Sequence, residues 1–267
     1  MKEKIVSEIY VYPVKSLGGI SVKEVEVTDR GFKYDRRWML VDSSGNFLTQ
    51  RTHPQMALIK VDFSFDTLFF RNIKTTDQFS VGIAETTGKK INAVVWSDHL
   101  ELLHVNSIAD EWFSQAVNKK CKLVFMPEET LRAVDSKYAA NNEITSLSDG
   151  YPFLIIGQPS LDELNSRLID KVPINRFRPN LVFTGGKPFE EDEMKDFMIG
   201  EVSFFGVKPC ARCVVTTIDQ NTGNKSEEPL RTLSGYRNFG GKVIFGMNLL
   251  HKGSGIIKIG DKIKQVD

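Results

Sequence analysis

Short runs of β-branched and aromatic residues, each cut off by glycine, proline, aspartate or asparagine, constrain this chain more than any other feature. Ile5 to Tyr12 has strand character, and Pro13 stops it because proline cannot donate to a ladder. Val25 and Val27 alternate with Lys23, Glu24 and Glu26, as in a half-buried strand. Turn signals at Asp29-Arg30-Gly31 and Asp42-Ser43-Ser44-Gly45-Asn46 separate further strand-like runs. These runs are Tyr34 to Val41, Phe47 to Thr49, Leu58 to Val61 and Thr67 to Phe70. Short strands at this spacing favour a barrel or sandwich over a doubly wound sheet.

Helical spacing appears in few places. Ile108, Trp112, Phe113, Ala116 and Val117 recur with that period from Ser107 to Asn118, and Ser107 is placed to cap the helix. Ser160-Leu161-Asp162-Glu163 has capping-box spacing, with Leu161, Leu164 and Leu168 as an apolar stripe to about Asp170. Between them lie a strand-like run at Cys121 to Met126 and a polar stretch, 128–142, that reads as a loop near a site. Phe153 to Ile156 and Leu181 to Phe183 are buried-looking strands, and the tail from Ile256 to Ile263 reads as two strands around a Gly-Asp turn. The fold class is mainly β with a few helices (α+β).

Composition excludes several classes of function. A net charge of +1 with 26% charged and 41% hydrophobic residues gives no basic excess for nucleic acid. The start lacks a signal-peptide core, and no apolar run reaches membrane-spanning length, so no membrane partner is expected. Three cysteines, an odd number, argue against a secreted disulfide framework and for the cytoplasm.

Two of those cysteines stand in a C-x-x-C, Cys210-Ala211-Arg212-Cys213, beside Lys208 and Arg212. Cationic neighbours favour the thiolate, the form that attacks or binds metal. The following run, Val214-Val215-Thr216-Thr217-Ile218, reads as a strand that begins at Cys213. Structural zinc needs four ligands, and no second pair accompanies this one. Strand formers after the motif count against a thioredoxin-like pair, which opens a helix. Composition alone does not choose between a chemical pair and two buried packing residues.

Four motifs occur in order: Val11-Tyr12-Pro13-Val14-Lys15-Ser16, Asp35-Arg36-Arg37-Trp38, Arg176-Phe177-Arg178-Pro179-Asn180 and the stretch from Cys210 to Asp219. Together they resemble the MOSC proteins, and among these the mitochondrial amidoxime-reducing component and its bacterial relatives. The resemblance covers nearly the whole chain. It implies an N-terminal MOSC β-barrel domain over residues 1–120 and a MOSC β-barrel domain over residues 121–267.

It also implies a molybdenum cofactor (molybdopterin with Mo), with Cys213 as the catalytic thiolate ligand to the metal, a donor suited to a soft centre. Cys210 matches the motif's other cysteine, which is not the ligand. Lys15, Ser16, Arg36 and Arg178 fall where relatives contact the cofactor, and Asp149, Gly150 and Asn180 are further contacts. Relatives carry small hydroxyl residues at Gly150-Tyr151, so here the Gly150 N–H would stand in for a hydroxyl.

The implied activity is two-electron reduction of small N-hydroxylated compounds: amidoximes, hydroxylamines or N-hydroxylated bases. With no C-x₄-C-x₂-C run, electrons would come from an external ferredoxin, flavodoxin-type reductase or cytochrome b5-like protein. The alternative is a molybdopterin-binding or sulfur-carrier protein.

Overall fold

The run Phe153-Leu154-Ile155-Ile156 forms the strand Phe153–Gly157 and divides its side chains between two cores. Phe153 and Ile155 pack with Ile9, Leu181, Phe204 and Leu249, whereas Leu154 and Ile156 pack with Leu164, Phe177, Val182 and Phe245. A strand buried on both faces needs no polar alternation, which is why this stretch is continuously apolar. The computed structural model describes residues 3–139 and 141–266. It is mainly β, with a nine-stranded sheet, a four-stranded sheet and two of three strands.

The large sheet joins both halves of the sequence. Strand Ile5–Val11 runs antiparallel to Leu181–Thr184, with Ile9 opposite Leu181. Leu181–Thr184 in turn lies parallel to Phe153–Gly157, and helix Gln158–Ser166 connects the two. In a second sheet, Glu24–Thr28 pairs with Gly255–Lys258 near the far end of the chain. The four-stranded sheet has Lys122–Phe125 between Trp38–Val41 and Asp98–His104. That sheet therefore takes strands from both sides of residue 120.

Strand Val202–Ala211 pairs with Lys242–Lys252 and carries residues 208–211 to the sheet's edge of the site. Gly206 permits this, because a Cβ there would lie 1.8 Å from the Met194 carbonyl oxygen. Among the described residues, no helix is long and apolar enough to cross a membrane.

Several local expectations are corrected. The run after Cys213 is not a strand: the strand ends at Ala211, and Val214–Thr217 is a 3₁₀ turn with Cys213 at its N-cap. The threonines explain this. Thr216 Oγ1 donates to the Cys213 carbonyl at 3.0 Å and Thr217 Oγ1 to that of Val214 at 2.8 Å, local bonds that compete with a ladder.

Helix Ser107–Ala116 is capped by Asn106, whose Oδ1 accepts from the Ala109 N–H at 2.6 Å, rather than by Ser107. Ser160 does not form a capping box, because the helix begins earlier, at Gln158, and ends at Ser166. Its hydroxyl instead donates to Glu191 and accepts from the Phe189 N–H, each at 2.7 Å. Phe47 to Thr49 makes only an isolated bridge, Phe47 to Val41. The two tail strands do not pair together: Gly255–Lys258 joins Glu24–Thr28, and Ile263–Gln265 joins Asp196–Ile199.

Candidate functional site

Where the first strand ends, Pro13 and the residues after it turn against the start of Trp38–Val41. Lys15 N–H donates to the Trp38 carbonyl and Trp38 N–H to that of Pro13. This places Lys15 inside the protein; its side chain is 5% exposed. Its Nζ donates to the Leu147 carbonyl at 2.8 Å and to Asp149 Oδ1 at 2.6 Å. Burial pushes the Lys15 ammonium down to about 8, against the pull of Asp149. The charges of Lys15, Arg51 and Arg36 together hold the Asp149 carboxyl well below the usual range. Asp149 stands at the mouth, 63% exposed, so water screens these pairs.

Arg36 and Arg178 reach the same place from opposite halves of the chain. Arg36 pairs with the buried Asp35 and donates to Asn180 Oδ1 at 3.1 Å. Arg178 Nη1 donates to the Leu17 carbonyl at 2.6 Å. Both guanidiniums lie over the Tyr12 ring, 4.5 and 4.3 Å from its centroid. Tyr12 is buried, with its N–H on Asp35 Oδ1 and its hydroxyl on the Pro179 carbonyl. Burial, with Arg36 alongside, moves Arg178 down to about 10; Asp35 keeps Arg36 above its ordinary value despite burial.

The backbone is strained at these residues. Ser16, Arg36 and Arg178 have φ of 68°, 51° and 56°. Left-handed backbone costs a non-glycine residue roughly 1–2 kcal/mol, and such strain gathers where the surroundings over-determine a site.

The wall that carries the cysteines comes from the strand ending at Ala211. Arg212 Nη1 donates to Cys210 Sγ at 2.9 Å and Nη2 to the Phe177 carbonyl at 2.6 Å, while its buried Nε has no partner among the described residues. Cys210 and Cys213 are both free thiols, half-buried. Cys121 is a buried core residue, its thiol pushed up to about 11 by burial.

Lys15, Ser16, Arg36, Asp149, Gly150, Arg178, Asn180 and Cys213 all line one cavity of about 300 Å³. Among the described residues six cationic side chains border it (Lys15, Arg36, Arg51, Arg178, Lys208 and Arg212) against one carboxylate, Asp149. Among the described residues three other grooves are larger, about 450, 660 and 730 Å³, but gather no such set of side chains. The balance favours an anionic ligand, and the forked guanidiniums suit phosphate oxygens.

A Cβ at Gly150 would meet nothing within 4 Å, so ligand could approach that peptide. Among the described residues no three His, Cys, Asp or Glu side chains gather around a metal. A metal held at Cys213 would bring its other ligands with it, as a dithiolene-bound ion does. The donor set therefore fits a phosphate-bearing, sulfur-ligated metal group.

Arg51, Thr49 and Ser148 also border the cavity, although sequence reading did not single them out. Arg132 was hidden too. Buried within the polar 128–142 stretch, it donates to the Ser146 and Ser148 carbonyls and to Asp98, anchoring the segment that carries Asp149. Only a polar loop interrupted by a lone arginine marked it.

Residues 3–120 match the family model of the MOSC N-terminal beta barrel domain, and residues 142–264 that of the MOSC domain. The chain belongs to the MOSC proteins that carry this N-terminal domain. It is 31% identical to mitochondrial amidoxime-reducing component 1 of Mus musculus, over 97% of this chain and 81% of that protein. The Homo sapiens protein of the same name is 32% identical, over 97% and 82%. Molybdenum cofactor sulfurase of Oryza sativa subsp. japonica is 33% identical over 92% of this chain, which spans 33% of that protein.

Proposed function

We propose that this protein is a molybdenum cofactor-dependent reductase of N-hydroxylated compounds. The observation that carries the reading is the six-to-one excess of cationic over acidic side chains around a cavity with Cys213 on its wall. The amidoxime-reducing relatives supply the reaction class. When bound, the cofactor supplies two-electron chemistry that removes oxygen from nitrogen.

The chain's own residues hold and tune it. Cys213 would give a thiolate to the metal, and its place before a 3₁₀ turn fixes the backbone that presents it. Lys15, Arg36 and Arg178 would neutralise the phosphate, with Ser16, Gly150 and Asn180 as neutral partners. These cations are already oriented by protein carbonyls and by Tyr12, so little ordering remains to be done on binding. Net reduction of an amidoxime to an amidine takes two electrons and two protons and releases water. Those electrons would come from a separate ferredoxin, flavodoxin-type reductase or cytochrome b5-like protein. Three free cysteines suit the cytoplasm, a reducing compartment.

The test is anaerobic turnover of benzamidoxime by protein expressed in a molybdopterin-competent host, with reduced viologen as donor. Benzamidine formation that is lost when the host is deprived of molybdate supports the reading. Protein that carries stoichiometric molybdenum and pterin but reduces no N-hydroxylated compound argues against it. A sulfur-carrier reading draws on the Arg212 contact to Cys210, which suits a negatively charged thiolate or persulfide. Cyanide-labile sulfur without molybdenum would favour that second reading.

A further inference from the structure

The cation Lys208 borders the cavity yet belongs to none of the contacts that hold the others in place. Lys15 and Arg51 reach Asp149, Arg36 reaches Asp35, and Arg178 and Arg212 are bound to backbone carbonyls. Lys208 makes no ion pair among the described residues. Its Nζ rests instead on aromatic faces, 4.8 Å from the Tyr138 centroid and 5.8 Å from that of Tyr151. The two tyrosine rings meet edge to face at 5.8 Å and 77°.

Each part of this arrangement is fixed from behind. Asn248 Nδ2 donates to the Lys208 carbonyl at 3.0 Å, tying it to the neighbouring strand. Tyr138 N–H and Ala139 N–H both donate to the Asp135 carbonyl, closing the turn that presents the Tyr138 ring. Tyr151 follows Asp149 and Gly150 directly and lines the same cavity as Cys210 and Cys213. Burial, then Tyr138, Asp135 and Cys210, push its phenol well above the ordinary range, so the hydroxyl stays a neutral donor.

A lysine held on two rings is partly desolvated without being neutralised. It attracts an incoming anion strongly and repels a cation, while the tyrosine faces favour a flat conjugated group. We infer that Tyr151 and Lys208, backed by Tyr138, form the substrate-recognition wall, selecting a flat N-hydroxylated compound that carries a negative charge. This inference rests on the reductase reading for the word substrate, while the binding it requires stands on the wall alone.

The experiment compares 4-carboxybenzamidoxime with uncharged benzamidoxime, which share the reducible group and differ by one charge. Affinities are measured by calorimetry on the oxidised, molybdenum-loaded protein without reductant, and KM and kcat separately with reduced viologen. The wild type should bind the carboxylate about tenfold tighter, the effect of one charge-assisted contact. Lys208→Met keeps the stem on the rings and should bring that ratio to about one. Lys208→Arg should restore it, and Tyr151→Leu should weaken both compounds together.

Equal binding of the two compounds by the wild type, an unchanged ratio in Lys208→Met, or binding of neither compound would overturn the inference. Preferential binding without any reduction would uphold the wall and remove the reductase reading. Reduction of both compounds with no preference would do the reverse.

Discussion

Arg36 donates through Nη2 to the backbone carbonyl of Arg178 at 3.4 Å, across 142 positions of sequence. Both guanidiniums lie over the ring of Tyr12. Two cations beside one another would repel, so something must hold them. Asp35, the Tyr12 ring and the Leu17 carbonyl do so. The first and second halves of the chain thus share one anion-attracting centre, and its support is an aromatic residue that itself only underlies the ligand space.

Tyr12 should therefore matter more than its distance from chemistry suggests. Tyr12→Ala is expected to cost roughly 3–5 kcal/mol of stability, as for other large aromatic truncations. Tyr12→Phe, which loses only the hydroxyl bond to the Pro179 carbonyl, should cost about 1 kcal/mol and retain cofactor. Urea melts with pterin analysis of both variants check this; equal pterin loss in Tyr12→Phe and Tyr12→Ala would contradict a role for the ring.

Gly19 guards the same ring. A Cβ there would come within 2.4 Å of Tyr12 Cε1. Gly19→Ala should destabilise by about 1–3 kcal/mol, the range for overpacking, and lower pterin content although residue 19 is exposed. A variant with wild-type melting and full pterin would show that the ring moves aside freely.

Lys15 gives a pH signature. Its amine titrates at about 8 in the fold against an ordinary 10.5, so between those values the unfolded chain binds more protons. Stability from this group should rise across that window by roughly 3 kcal/mol, and below it the deficit is fully present. Chemical denaturation of the cofactor-free protein, compared with Lys15→Met, isolates the effect: the rise should vanish in the variant. Parallel curves would mean that Lys15 does not carry the shift. An anion bound beside Lys15 favours the charged amine, so binding above pH 8 should take up protons.

Ser16 tests whether strain is stored for binding. Its φ of 68° is one that glycine adopts freely. Ser16→Gly should therefore raise stability by about 0.5–1 kcal/mol while weakening pterin retention severalfold through loss of the hydroxyl. A drop in stability would show that Ser16 is not strained.

The strand pattern was legible because burial on one or both faces writes itself into residue type, as at Phe153 to Ile156 and Val25 to Val27. Element ends were less so. Val214 to Thr217 has strand composition, yet its threonine hydroxyls bond back to the chain and close a turn, which propensity alone does not report. Of the eight expected residues that border the cavity, six lie in the four motifs, each carrying its own cation or thiol, whereas Asp149 and Gly150 stand outside them. Tyr12, Arg51 and Arg132 escaped because their roles arise from partners far along the chain. Nothing in the residues around Arg132 announces that it holds the carbonyls of Ser146 and Ser148.

Cys213 and the cations around it are proposed to hold a molybdenum cofactor. The most direct test is molybdenum and pterin analysis of wild type beside Cys213→Ala, both from a molybdopterin-competent host. The wild type should carry stoichiometric molybdenum and pterin, and the variant pterin with little molybdenum. Neither in the wild type, or wild-type molybdenum in Cys213→Ala, would contradict the proposal.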